Sequence, residues 1–489
     1  MVETAPRPPV APGAPVGPGT PAAADTGFFG HPAGLGILCG TQLWERYSFY
    51  GMQALLMLYM TQELLTSGEA RHVWGMGAYR ALLERALGPM TDLGFASQTY
   101  GLYAGFIYVT PLLGAFVADR FLGKTRTVCI GALLMSAGHL AMAITPLFLV
   151  ALGLLIVGGG CVIGNLSSQV GDLYAPEDAR RTRAFAIFLI ASSVGSLLSP
   201  LITGTLGERV GWHWGFGAAG IGMLVGAATY LSGRRRLPVR AVVDAAHIQP
   251  LTRADKRNIV AILLVFVPYI LVNAAYQQCY ALMLVWADTA VNHTIGGWVM
   301  PITWMNFFDG AMAMGTITAS AALWQRWAAR GREPHDVTKI GIGCAGVALA
   351  FVYAAGLASV KGVSWVALVG VYFIIDWSCA WFEPPTGALT SRYAPYRLSA
   401  TMMGVFKLAM AFAYFALGWL GQFIEVLGAV RYWLVDAGIA GAGALLVLAF
   451  GSRVRAMLDP SCSAPPTQSL MGETQIHAWP DPANLHEAH

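Results

Sequence analysis

Apolar stretches of about 20 residues, the length a helix needs to cross a hydrocarbon core of about 30 Å, recur twelve times along the chain. They run over approximately 35–64, 97–118, 127–145, 147–171, 183–206, 213–232, 258–287, 299–325, 337–357, 364–390, 400–424 and 431–452. Some are long enough to tilt or to project beyond the bilayer. The basic linker 233–257 divides them six and six, and its twenty-five residues include seven basic ones, so it cannot hold further spans. In the connection 65–96, the stretch Tyr79 to Arg85 reads as a short amphipathic helix. The pattern predicts an all-α polytopic membrane protein. Its 12 transmembrane helices fall into two six-helix halves at 34–232 and 258–453, joined by the cytoplasmic linker 233–257 and flanked by disordered cytoplasmic tails at 1–33 and 454–489.

Composition agrees with the pattern. Of 489 residues, 56% are hydrophobic and only 11% charged, and the mean hydropathy of +0.56 exceeds what a soluble core can hide. Orientation follows from the basic residues, because cytoplasmic loops retain Lys and Arg. One set of connections holds Arg120, Lys124, Arg126, the run Arg180, Arg181, Arg183 and the linker cluster beginning Arg234-Arg235-Arg236, whereas the opposite set holds only Arg71, Arg80, Arg85, Arg209, Lys361 and Arg431. Both termini are therefore expected in the cytoplasm, with the protein in the inner (plasma) membrane. The net charge of +4 comes largely from this bias and gives no reason to invoke nucleic acid.

Cofactor and enzyme chemistry find little support. The seven cysteines, 39, 129, 161, 279, 344, 379 and 462, are odd in number and lack short paired spacing, so neither a disulfide framework nor a zinc site is indicated. His477, His486 and His489 lie in a tail of low complexity and read as solvated. There is no phosphate-binding Gly-Lys-Ser loop, no His-x-x-x-His pair and no Gly-x-Ser-x-Gly turn. No metal or cofactor is expected, and no enzymatic activity.

The first apolar stretch contains the most informative residues, Gln42-Leu43-Trp44-Glu45-Arg46-Tyr47-Ser48-Phe49-Tyr50-Gly51. Ionisable groups at bilayer depth cost several kcal/mol unless partnered or facing a polar cavity, so they mark a solute or ion path by default. On a helix Gln42, Glu45, Arg46, Phe49 and Tyr50 share one face. The stripe reads either as the wall of a binding cavity or as a Glu45 to Arg46 pair that glues helices together. A second motif is the loop Gly114-Ala115-Phe116-Val117-Ala118-Asp119-Arg120-Phe121-Leu122-Gly123-Lys124-Thr125-Arg126. Gly123 permits a tight turn, and Asp119, Arg120, Lys124 and Arg126 can make charge-assisted contacts that close in one state and break in another. An ordinary topogenic loop is the competing reading. Its counterpart, Trp324 to Lys339, keeps Arg330-Gly331-Arg332 without the acidic member.

The loop 114–126 resembles the one between helices 2 and 3 of the major facilitator superfamily. Together with Glu45 to Met52, Asn165 to Tyr174, Ser199 to Gly204, Gly215 to Gly220 and Met402 to Val405, it makes residues 35–455 similar to the proton-dependent oligopeptide transporter family within that superfamily. The resemblance implies the major facilitator fold, alternating access and proton-coupled symport of peptides. The family's Glu-x-x-Glu-Arg pattern, in which Arg helps receive a peptide carboxylate and the acids take part in proton coupling, matches at Glu45 and Arg46, with Gln42 in place of the first Glu. A guanidinium suits a carboxylate through its two parallel donors, so Arg46 is the expected anion ligand, assisted by Tyr50 and Tyr108.

Departures from the family cluster by type. Its Lys before Pro-Asn in the fourth helix becomes Ile163-Gly164-Asn165, its Phe-Glu-Gln in the seventh becomes Tyr276-Gln277-Gln278, and its Glu before Ser-Pro in the tenth becomes Cys379. That last change undermines ordinary di- and tripeptide recognition. New charges stand at Asp309, Asp376, Glu383 and Lys407, with Asp376, Cys379 and Glu383 on one helical face. A partly buried carboxylate can exchange protons near neutral pH, which makes Asp309 and Asp376 candidates for a relocated proton site opposed by Lys407. A fixed Asp to Lys pair is the alternative, and Glu383 reads as a gate or cap residue.

The sequence thus predicts a secondary carrier of small peptides or peptide-like and amino-acid-like solutes. Substrate contacts are expected at Arg46, Glu45, Gln42, Phe49, Tyr50, Tyr108, Asn165, Ser193, Gln277 and Cys379, proton-coupling candidates are Glu45, Asp309, Asp376, Glu383 and Lys407, and the gate comprises Gly114, Asp119, Arg120, Gly123, Lys124 and Arg126. Expected partners are the solute, protons and the lipid bilayer, and the expected state is a monomer. Two further readings stay open: a carrier or exporter of a modified peptide-derived metabolite such as a siderophore, and a non-transporting sensor, which would lack any sizeable signalling domain.

Overall fold

The computed structural model describes residues 27–174, 178, 180–237, 251–395 and 398–458. Most of the expected tails and of the linker 233–257 lie outside the described residues. Twelve long helices dominate: α1 Ala33–Tyr59, α2 Asp92–Val117, α3 Lys124–Met142, α4 Phe148–Asp172, α5 Arg180–Ser199, α6 Trp212–Gly233, α7 Arg253–Tyr276, α8 Trp304–Ala328, α9 Asp336–Ala358, α10 Trp365–Tyr393, α11 Ser399–Gly421 and α12 Ala429–Met457. Among the described residues, nine helical segments are long and apolar enough to cross a membrane by length and composition. Those short of that measure are α1, α3 and α8, which carry Glu45 and Arg46, His139, and Asp309 in their interiors. The chain is a multi-pass helical membrane protein.

Local sequence explains where several helices start and bend. Thr91 caps α2 by accepting the Gly94 N–H at 3.1 Å, and Thr252 with Asp255 forms a capping box at α7. Gly123 takes φ +74° immediately before α3, the left-handed turn expected of it. Short π turns at Met60–Leu64, Ala118–Leu122 and Pro200–Gly204 extend α1, α2 and α5. At Gln277–Tyr280 the chain tightens into a 3-10 turn, and Ala281 turns it with φ −120° and ψ −99° before a short helix at Leu282–Ala290. The amphipathic stretch in the 65–96 connection is a helix, Met76–Leu87, tied down by Arg80 to Glu84 at 2.9 Å and Asp92 at 2.6 Å. Four two-residue strands between helices are the exception to an all-helical chain.

The helices α1 to α6 pack on one another, and α7 to α12 do likewise; α2 meets α11 and α5 meets α8 across the two sets. Close approach depends on glycine. A Cβ on Gly195 of α5 would strike the Leu43 carbonyl of α1, and one on Gly101 of α2 would lie 2.6 Å from the Tyr414 carbonyl of α11. Gly160 of α4 likewise faces Thr110 of α2.

Hydrogen bonds join the two sets from mid-depth to the end at which α1 finishes. Gln53 donates to the Tyr414 hydroxyl at 3.3 Å, Gln62 to Asp288 at 2.8 Å, and the Trp304 indole to Thr205 at 2.8 Å. Glu208 accepts the Ile302 and Thr303 N–H groups, each at 2.9 Å. That end is sealed.

Candidate functional site

Below the seal, a polar chamber with two lobes lies between the two sets of helices. Tyr50 and Gln53 of α1, Tyr276 at the end of α7 and Tyr280 of the 3-10 turn that follows it line both lobes. The first lobe, about 230 Å³, adds Ser193 and Ser196 of α5 and Asn306, Asp309 and Gly310 of α8. The second, about 150 Å³, adds Tyr108 of α2, Asn273 of α7, Gln277 of the same 3-10 turn, Cys379 and Glu383 of α10, and Met410 and Tyr414 of α11. The lining of neither lobe includes a lysine, arginine or histidine.

Arg46 stands beside this chamber rather than in its lining. Its guanidinium donates to both oxygens of Glu45, at 2.5 and 2.9 Å, with 13% of the arginine side chain exposed and none of the glutamate. Its Cζ lies 4.9 Å from the centre of the Phe49 ring. The Tyr50 phenol interacts electrostatically with the same guanidinium. Of the stripe read from the sequence, Tyr50 therefore reaches the chamber directly and Arg46 behind it, while Phe49 is buried at 5% exposure and Glu45 at zero.

Two further expectations change. Asn165 is buried at 2% exposure and donates to the carbonyls of Gly114 and Cys161, at 3.2 and 3.0 Å. It clamps α4 to α2 and does not line the cavity, because its amide satisfies carbonyls freed by close helix contact. Gln42, 7% exposed, faces Ser192 of α5 at 3.3 Å in the same manner. Ser193, Gln277, Cys379, Tyr50 and Tyr108 do line the chamber.

The C-terminal helices hold the unusual charges. Asp309 accepts the Tyr280 hydroxyl on Oδ2 at 2.5 Å, leaving Oδ1 without a partner. Asp376, wholly buried on α10, interacts electrostatically with Asp309, and neither of its oxygens finds a protein donor. Among the described residues neither aspartate forms an ion pair, so the expected Asp to Lys407 opposition is not formed. Lys407 is exposed and interacts electrostatically with Glu383, whose Oε2 also accepts the Tyr269 hydroxyl at 2.7 Å.

The gate residues stay within their own set. Lys124 bonds Ser168 and Asp172 of α4 at 2.6 and 2.7 Å, and Gly114 abuts the Gly160 carbonyl. Asp119, Arg120 and Arg126 are exposed. They make no ion pair among the described residues.

Sequence reasoning missed Gln53, Tyr276, Tyr280, Asn306 and Tyr414. A signal existed for three of them: Gln53 continues the stripe one turn past Phe49, Tyr280 follows Tyr276 by one turn around the noted Gln277, and Asn306 precedes Asp309 by three. Tyr414, which stacks on Tyr108 at 5.5 Å and donates to Gln277 Oε1 at 2.9 Å, had none. The lining aromatics are tyrosines. No tryptophan is among them.

Two sets of six helices closing over a polar chamber define a carrier of the major facilitator fold. The POT family model (PTR2) matches residues 125–240 and 239–426, and the chain belongs to that family. It is 27% identical to the uncharacterized transporter YclF of Bacillus subtilis (strain 168) over 451 residues, 79% of this chain and 87% of the relative. A di-/tripeptide transporter of Lactococcus lactis subsp. lactis (strain IL1403) is 40% identical over 213 residues, 43% of this chain and 39% of the relative. Among solved structures, a point mutant of a peptide transporter POT in complex with sulfate aligns with TM-score 0.78 and 25% identity, covering 89% of this chain and 97% of that one.

Proposed function

We propose that this chain is a secondary active transporter that carries small peptides or peptide-like solutes across the inner membrane by alternating access. All twelve long helices cross the bilayer in this reading, the halves 34–232 and 258–453 rock against each other, and both termini lie in the cytoplasm. The observation that carries the reading is a polar, two-lobed chamber between the two sets of helices, sealed at the end where α1 finishes. With cytoplasmic termini the seal is external, so the chamber faces inward.

Family membership and the peptide transporters it resembles support the solute class. In this chain Tyr50 relays the Arg46 guanidinium to a solute carboxylate, and Asp309 with Asp376 couples the cycle to protons in place of the family's changed acidic positions. A buried pair of carboxyls without a cation carries net charge until it takes up a proton or a cation, which is the property a coupling site needs. Purified protein in liposomes, given labelled dipeptides with and without an inward proton gradient, tests this. Gradient-stimulated uptake is expected, and absence of uptake and of counterflow under every gradient overturns it.

A further inference from the structure

The charges around the chamber are unevenly cancelled. Arg46 is held by Glu45, and Glu383 has Lys407 nearby. Asp309 and Asp376 have no such partner. The groups that face Asp309 are Tyr50 from α1, Ser193 and Ser196 from α5, Tyr276 and Tyr280 from the end of α7, and Asp376 from α10, with Cys279 and Tyr372 behind them. No cationic side chain is among them.

The lobe also leaves acceptors unmet. Asp309 Oδ1 and Asn306 Oδ1 in its wall are buried and unpartnered, and so are both oxygens of Asp376, which lies behind Asp309 and outside the lining. Burying acceptors without donors costs about 1–3 kcal/mol each. An alkylammonium brings three N–H donors and a positive charge, and the Tyr50, Tyr276 and Tyr280 rings offer cation-π faces. About 230 Å³ is room for an aminoalkyl arm.

We propose that this lobe selects net-cationic peptide-like solutes, and that the ammonium group of the solute's side chain takes the place of one proton on the Asp309 and Asp376 pair. The inference rests on the carrier reading above. Without a neighbouring cation the pair is electroneutral with two protons. Binding then converts two carboxylic acids and R–NH3+ into one carboxylate paired with R–NH3+, one carboxylic acid and a released H+, with charge and atoms conserved. Proton and ammonium compete for the same oxygens, so each weakens the other's binding by the same factor.

The test uses the full-length protein in nanodiscs near neutral pH, titrated calorimetrically with alanyl-lysine, alanyl-alanine and alanyl-glutamate in two buffers of different ionisation enthalpy. Alanyl-lysine should bind at least tenfold more tightly than alanyl-alanine and release up to one proton. Asp309→Asn should erase both the preference and the release. Should that variant not fold, Asn306→Leu, which fills the lobe and leaves both carboxyls, should weaken alanyl-lysine selectively. Equal binding of all three peptides by the unmodified protein, or proton release that survives Asp309→Asn, overturns the proposal and leaves the carrier reading intact. Binding of none of them by folded protein removes both.

Discussion

The two halves of the chamber treat buried charge in opposite ways. On α1, Glu45 and Arg46 are sequence neighbours that neutralise each other through two hydrogen bonds. On α8 and α10, Asp309 and Asp376 come from different helices and meet with no cation between them. A self-contained pair is a fixed structural charge that presents one polarity through Tyr50. An uncompensated pair stores a demand for positive charge that only a mobile species can meet. A carrier needs both: one site that stays constant through the cycle and one whose occupancy changes with it.

Removing half of the compensated pair should have the largest effect. Arg46→Ala leaves Glu45 buried and unpaired, and is expected to destabilise the protein by about 3–5 kcal/mol, seen as a drop in Tm in detergent. The double variant Arg46→Ala with Glu45→Gln should recover most of that Tm. Recovery of transport along with it would place Arg46 outside solute recognition. The uncompensated pair should behave in the reverse sense. Asp376→Asn removes a buried charge with no partner, so Tm should hold or rise while the response to a pH gradient falls. Combined with Asp309→Asn in a double-mutant cycle, the coupling should lie at about 0.5–3 kcal/mol, and additive effects would dissolve the pair.

The smallest effect sharpens the comparison by fixing its background. His335, which precedes α9, uses Nδ1 to accept the Val337 N–H at 3.2 Å. Burial pushes its imidazole below the usual range, opposed by Asp336 and reinforced by Arg455, Arg392 and Lys339. The unfolded chain therefore binds a proton there more readily than the folded one. Its contribution is present above about pH 6.5, the unfolded value, and is lost as pH falls through the depressed folded value. His335→Asn keeps a capping acceptor and should flatten this shallow acid slope in Tm against pH. A slope unchanged in the variant would assign the acid sensitivity elsewhere.

What the sequence revealed follows from what each signal depends on. Span length and basic-loop bias are local properties, so the helices could be counted from the chain alone, including α1, α3 and α8, whose hydropathy is diluted by interior polar residues. The polar stripe of α1 was equally legible by helical spacing. Its meaning was not, because whether Arg46 points into a cavity or back at Glu45 depends on the rotamer that packing selects. Asn165 was misplaced for a related reason: a polar side chain at bilayer depth serves a carbonyl across a glycine contact as well as it serves a ligand. The meeting of Asp309 with Asp376 joins positions 67 residues apart on different helices, which spacing cannot show.

The seat of Glu208 on the Ile302 and Thr303 N–H groups, just ahead of α8, has a consequence for the proposed cycle. A carboxylate bound at a helix start is favoured by the helix dipole as well as by its two hydrogen bonds. In the proposed alternating-access cycle each turnover undoes this clasp, so its strength weighs how long the carrier rests in each state. Evolution can retune that waiting time at the rim, far from the cargo, without altering what the carrier recognises.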